Sequence, residues 1–308
     1  MTEVACIGEC MIELTQGVGN QLMQGFGGDT LNTAVYLARL GMRVDYVTAL
    51  GDDPFSNELI AAWQSEGVGT GRVLRIPGKM PGLYAIRTNA AGERSFYYWR
   101  DSAAARALLD QPESGALLDA LRGYGLIYLS GITLSLFGEE GRGCLVTALK
   151  KARESGSRIA FDTNFRARGW LVRDDAIRAY QAMLDISDVV LASTEDLTPL
   201  YGERPYPELL DLLTATEAVL KLQEPACVVR SSGADRIVKA GPVATVIDTT
   251  AAGDSFSAAY LAARLRGSSP LEAAEAGHRL AGAVVAHRGA IIPRSEMPSA
   301  SSTKTREN

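Results

Sequence analysis

The chain has 308 residues, 46% of them hydrophobic and 22% charged, an ordinary globular balance that allows one large α/β domain or two smaller ones. A net charge of -5 and a pI near 5.3 exclude a broad basic surface, and with it nucleic acid as a partner. No run approaches the ~20 apolar residues of a membrane span, and the opening segment, with Glu3, Glu9 and Glu13 and no basic stretch, does not read as a secretory signal.

In chain order, "VACIG" (4–8) reads as a buried strand. "ECMIELTQG" (9–17) and "NQLMQGFGG" (20–28) then alternate with the period of two that marks antiparallel strands. "GDTLNTAVYLARLG" (28–41) repeats apolar residues at helical spacing and closes on Gly41, and "SNELIAAWQSEG" (56–67) and "GRGCLVTALKKARESG" (141–156) close likewise on Gly67 and Gly156. Further buried strands are predicted at "VDYVTALG" (44–51), "GLIYLSG" (125–131), "RIAFD" (158–162), "DVVLAS" (188–193) and "ACVVRSSG" (226–233). Strands alternating with helices predict an open, mainly parallel sheet covered on both faces, with ligands beyond the carboxyl ends of its strands. "GLYAIRTNAAGERSFYYWR" (82–100) breaks this rhythm as a hairpin around "NAAGE" (89–93). With residues 9–26 it predicts a small sheet standing off the body as a lid, an edge extension of the main sheet being the plain alternative. The tail from 294 to 308 is polar and aperiodic and is expected to be disordered. Cys6, Cys10, Cys144 and Cys227 form no CxxC pair and read as reduced core residues of a cytoplasmic protein.

The most informative stretch is "DTTAAGD" (248–254), which opens an amphipathic helix. Small residues there let a ligand approach the backbone, and the first N–H groups of a helix have no partner within it, so the loop is a ready cradle for an anion. Asp254 faces that cradle as a candidate general base for phosphoryl transfer. On these residues alone, an Ala/Gly-rich loop capped by Asp254 explains the pattern equally well. A second cluster, "FGGDTLN" (26–32), brings Gly27, Gly28, Asp29 and Asn32 to another helix start, where they suit a hydroxylated ligand. Gly78 and Lys79 lack the Walker spacing, no GxGxxG follows the first strand, and HExxH is absent.

The ordered pair "FGGDTLNTAVYLARLG" and "DTTAAGD", with "GDDPF" (51–55) between them, resembles the ribokinase-type (PfkB) carbohydrate kinases over nearly the whole chain to about Pro293. The resemblance implies a three-layer α/β/α ribokinase-like domain over residues 1–293 with a β lid. It implies Asp254 as the base, with the backbone of Ala251, Ala252 and Gly253 receiving the migrating phosphoryl group. Glycine usually stands in the family where this chain has Ala251, a minor departure if φ is negative there. The family's Asn-x-x-Glu motif falls on "STED", placing Ser193 near the nucleotide and Asp196 near Mg²⁺ through water. Thr249, Ser231 and Gly233 complete the implied ATP contacts.

Tyr84, Tyr98, Arg100 and Arg166 can surround a carboxylate, which points to a sugar acid. The same segments are closest to the branch of the family acting on 2-keto-3-deoxy-D-gluconate, implying transfer from ATP to its 6-hydroxyl. A monovalent cation (K⁺) beside Asp248 and a homo-oligomer paired through the lid belong to the same resemblance. A kinase for ribose, fructose or a nucleoside, a non-catalytic sugar-acid binding protein of this fold and, third, a dehydrogenase are the rivals.

Overall fold

The computed structural model describes residues 3–17, 19–88 and 94–298. Fourteen strands are described: β1 (Glu3–Ile7), β2 (Met11–Gln16), β3 (Leu22–Gly27), β4 (Arg43–Leu50), β5 (Val68–Gly69), β6 (Val73–Arg75), β7 (Gly82–Thr88), β8 (Arg94–Trp99), β9 (Leu126–Ser130), β10 (Arg158–Asp162), β11 (Val189–Ser193), β12 (Glu217–Lys221), β13 (Ala226–Ser231) and β14 (Ala234–Lys239). The main sheet runs β14-β13-β12-β11-β10-β9-β1-β4-β5, with β6 on β4. From β12 to β5 every pairing is parallel. The chain builds outward from β1 on one side and then returns to its other side with β9, which makes the carboxyl ends of β1 and β9 a switch point where ligands bind.

The continuous apolar strands follow from burial on both faces. In β1, Ala5 and Ile7 enter one core while Val4 and Cys6 enter the other, and β9 divides Ile127 and Leu129 from Leu126 and Tyr128 in the same way. The helix Glu139–Glu154 covers the first face through Leu145, Leu149 and Ala152. The helices Asp29–Arg39, Ala252–Leu265 and Pro270–Val285 cover the second, giving the expected three layers.

Four features depart from the sequence reading. Residues 226–233 do not extend the parallel array: β13 is antiparallel to both β12 and β14. The last parallel strand is β12, "EAVLK", hidden in the sequence by the polar residues at its ends. Glu217 there is 6% exposed, and its carboxylate accepts from Tyr260 Oη at 2.8 Å and Arg264 Nη2 at 2.7 Å. Cys144 is exposed on its helix, whereas Cys6, Cys10 and Cys227 are buried; all four are unpaired. The tail is ordered at its start, where Arg294–Glu296 forms a 3-10 turn and Arg294 Nη2 lies 2.7 Å from Glu66 Oε2; residues 299–308 lie outside the described residues.

The second sheet is separate, in the order β3-β2-β7-β8, so the edge-extension alternative is excluded. Its β2–β3 and β7–β8 pairings are antiparallel, as expected, and the β2–β7 contact that joins them is parallel, because β7 arrives from the main body instead of through a hairpin. Residues 89–93, the expected "NAAGE" turn, lie outside the described residues. Register puts Glu13, Tyr84 and Tyr98 on one face and Leu14, Ala85 and Tyr97 on the other. Among the described residues no helix is long and apolar enough to cross a membrane.

Candidate active site

Two glycine-rich motifs more than two hundred residues apart meet in one hydrogen bond: Asn32 Nδ2 donates to Asp254 Oδ2 at 2.8 Å. Each side chain stands in the first turn of a helix, Asn32 in Asp29–Arg39 and Asp254 in Ala252–Leu265. Thr33 Oγ1 also donates to the Asp254 carbonyl at 3.3 Å, so the two helix starts are tied by main chain and side chain. Gly27 and Gly28 are required by close approach: a Cβ at Gly28 would fall 2.2 Å from the Glu9 carbonyl oxygen, and one at Gly27 2.2 Å from Tyr84 Oη.

The loop before Asp254 is pinned from below. Asp248 accepts from Thr250 N at 2.8 Å and Gly289 N at 3.0 Å. Ala251, the N-cap of the helix, has φ 58 and ψ 16, a left-handed conformation, and no side chain caps the first-turn N–H groups. The departure at Ala251 is therefore not minor. Glycine takes this conformation freely, whereas alanine takes it at a cost of roughly 1–2 kcal/mol.

Asp254 is half-buried, and burial first and the Asp29 charge second hold its carboxyl well above the ordinary carboxylate range; the Asn32 hydrogen bond and Lys221 oppose them. Asp29 is itself raised, chiefly by burial, and accepts from Asn164 Nδ2 at 2.9 Å. Asn164, with φ 24, belongs to a five-residue run leaving β10 that organises the site. Asp162 Oδ2 accepts from Ser257 Oγ at 2.7 Å and lies 3.6 Å from Lys221 Nζ. Thr163 Oγ1 donates to Asp196 Oδ2 at 3.1 Å, and Arg166 Nη1 to Asp196 Oδ1 at 3.0 Å. Burial raises the Asp162 carboxyl, with Lys221 opposing.

Lys221, at the carboxyl end of β12, was missed in the sequence, and so were Asp162, Thr163 and Asn164. Its Nζ lies 3.4 Å from where a Cβ on Gly253 would stand, so one cation borders the small-residue loop. Position was the usable signal for all four residues, since they end or follow parallel strands.

On the second sheet, the Tyr84 and Tyr98 rings lie 5.9 Å apart, and Tyr84 Oη donates to Glu13 Oε2. Arg100 follows β8 and is ion-paired with buried Glu9. Arg166, 60% exposed, is paired with Asp196, so Asp196 serves first as an arginine partner. Ser193 is the N-cap of Thr194–Tyr201, accepting from Asp196 N at 3.1 Å. Thr249 is exposed on the loop. Ser231 and Gly233 are not brought to this site. Ser231 pairs with Glu217 at the amino end of β12, roughly 13 Å from the Lys221 end at ~3.3 Å per residue, because β13 runs antiparallel.

Among known proteins, the chain is similar to 2-dehydro-3-deoxygluconokinase of Dickeya dadantii, 45% identical over 305 residues covering 96% of this chain and 98% of the relative. The protein of that name in Escherichia coli K12 is 42% identical over 307 residues, 96% and 99% of the two chains. Among solved structures, the 2-dehydro-3-deoxygluconokinase of Thermotoga maritima superposes with a TM-score of 0.83 at 23% identity over 94% of each chain. Fructokinase with bound ATP from Xylella fastidiosa gives 0.80 at 25% identity over 96% and 95%. Residues 1–297 match the pfkB family carbohydrate kinase, and with the two motifs joined at Asp254 the chain belongs to that family.

Proposed function

We propose that this chain transfers the γ-phosphoryl group of ATP to the 6-hydroxyl of 2-keto-3-deoxy-D-gluconate, also called 2-dehydro-3-deoxygluconate, giving 2-keto-3-deoxy-6-phosphogluconate. The observation that carries the reading is the Asn32–Asp254 contact, which sets a basic carboxylate between the glycine-rich start of one helix and the start of another that no side chain caps. The two near-full-length relatives named for this acceptor, at 45% and 42% identity, support the substrate. ATP is the donor, as the nucleotide bound to the fructokinase of like fold suggests.

In this reading Asp254 takes the proton of the attacking hydroxyl; its raised pKa makes it a stronger base than an ordinary carboxylate. Charge on the migrating phosphoryl oxygens is met by the N–H groups of Ala251, Ala252 and Gly253 and by Lys221; without ligand the Ala252 N–H donates to the Thr249 carbonyl at 3.2 Å and Lys221 is paired with Asp162, so these two share their donors with the phosphoryl group. Gly27, Gly28, Asp29 and Asn32 hold the sugar hydroxyls, and Tyr84, Tyr98, Arg100 and Arg166 its carboxylate. Thr249 and Ser193 are assigned to the nucleotide side of the cradle in this reading. Mg²⁺, when bound, would neutralise charge on the phosphates, and Asp196 is the residue that would hold it, through water. A monovalent cation would sit by Asp248 and residues 287–290.

The second sheet acts as the lid of a single domain spanning residues 1–293, and its closure excludes water from the phosphoryl acceptor position. Its outer face exposes Leu22, Tyr97 and Trp99, which favours pairing with a second copy of the chain, to be read by light scattering. Four unpaired cysteines support a cytoplasmic setting.

A coupled kinase assay across keto-deoxy acids, neutral sugars and nucleosides tests the substrate. Arg100 and Arg166 are already paired with carboxylates, which a kinase for neutral sugars would also tolerate. Faster turnover of fructose or ribose than of the acid would overturn the assignment.

A further inference from the structure

We infer that Glu9 is a positioning residue for recognition of the acceptor's carboxylate: it anchors Arg100, so that the guanidinium of the second sheet stands oriented before the acid arrives. The inference rests on the reading above that Arg100 receives that carboxylate. Glu9 follows β1 at the switch point, and its main chain is fixed, since its carbonyl oxygen occupies the space that a side chain at residue 28 would need. Its side chain is 1% exposed and forms an ion pair with Arg100, whose side chain is 20% exposed. The pair bridges two bodies: Glu9 leaves the main sheet, and Arg100 leaves the last strand of the second sheet.

Room for the pair comes from Gly82. A Cβ there would lie 3.0 Å from Glu9 Oε1 and 3.1 Å from Arg100 Cβ. Both oxygens of Glu9, and Nε and Nη2 of Arg100, are buried, and Nη2 makes the contact with Glu9 Oε2. The contact holds charge against charge and fixes the guanidinium through its buried Nη2 edge. As a structural device alone it is a poor one, because a buried ion pair regains little more than its desolvation cost and apolar replacements are often neutral.

Arg106, half-buried on the turn Ala104–Asp110, also acts on Glu9, with the Asp29 carboxylate opposing it. Burial pushes the Glu9 carboxyl up to about 7, against the pull of Arg100 and Arg106, as for a group placed for a task rather than for stability.

The test compares kcat/KM for 2-keto-3-deoxygluconate with that for its neutral C1 amide on one preparation, a ratio independent of the fraction folded. In Glu9→Gln the acid-to-amide ratio should fall about tenfold, equivalent to ~1.4 kcal/mol, through KM for the acid, with KM for ATP unchanged. In an Arg100→Ala background, adding Glu9→Gln should change the ratio by less than about twofold, because the two residues act as one unit. If Glu9→Gln yields no soluble protein, Glu9→Asp, which retracts the charge by one methylene, should lower the ratio severalfold. An unchanged ratio in the Glu9 variant, or full additivity with Arg100→Ala, overturns the inference. If Arg100→Ala itself leaves the ratio unchanged, it is the assignment of Arg100 to the carboxylate that fails.

Discussion

Replacing Ala251 with glycine should stabilise the protein, although the change deletes a methyl group beside the proposed reaction centre. Ala251 is held at φ 58 and ψ 16, where an L side chain costs roughly 1–2 kcal/mol. Glycine removes that cost but gives the unfolded chain more freedom, returning about 0.4–1 kcal/mol. The net expectation for Ala251→Gly is a gain of about 0.5–1 kcal/mol. For a chain of this length that corresponds to a rise in Tm of roughly 1–2 °C. The neighbour supplies the control: Ala252 is the first residue of the helix and does not have positive φ, so Ala252→Gly should cost about 0.5 kcal/mol. Calorimetry of both variants without ligands, with urea unfolding as a second measure, reads the two signs. Loss of stability in Ala251→Gly, or the same sign in both variants, would refute a left-handed residue imposed on the loop by the Asp248 hydrogen bonds.

Three further outcomes follow from the charges around Asp254. Asp254→Asn should abolish nearly all turnover yet raise stability near pH 8 by about 1 kcal/mol, because an ionised buried carboxylate beside Asp29 disfavours the native state. A raised native pKa makes stability fall as pH climbs from the unfolded-chain value of about 3.9 to the native one. The advantage of the variant should therefore vanish below pH ~4, and a pH-independent difference would contradict the linkage. Asp29→Asn removes the largest charge holding the Asp254 carboxyl up, so the acid limb of kcat/KM should move to lower pH; a stationary limb would assign it to another group. Lys221→Met leaves buried Asp162 without its cation and the phosphoryl group without one donor. It should lower kcat about 10²-fold and stability by roughly 1–3 kcal/mol, and kcat within twofold of the parent would remove Lys221 from the transfer step.

Much of the architecture was written in local pattern. Runs such as those of β1, β9 and β10 are apolar on both sides because each strand feeds two cores, and Gly41, Gly67 and Gly156 mark helix ends with positive φ. β12 escaped because Glu217 and Lys221 at its ends are polar, and only their tertiary partners, Tyr260 with Arg264 and Asp162, make that polarity compatible with a buried strand. The direction of β13 escaped as well, since an apolar run carries no sign of which way its neighbour runs. That single reversal separates Ser231 and Gly233 from the site.

By itself the sequence determined the layered α/β class and the two glycine motifs, with Asp254 in the second, because periodicity, small residues at helix starts and a family motif are local properties of the chain. The tertiary structure decided which charges meet. It put Asn32 on Asp254, Asp196 on Arg166, Glu9 on Arg100 and Lys221 beside Gly253, and it bent Ala251 into the left-handed region. Such contacts join segments that are distant in the chain and depend on strand order and direction, so no window of sequence contains them.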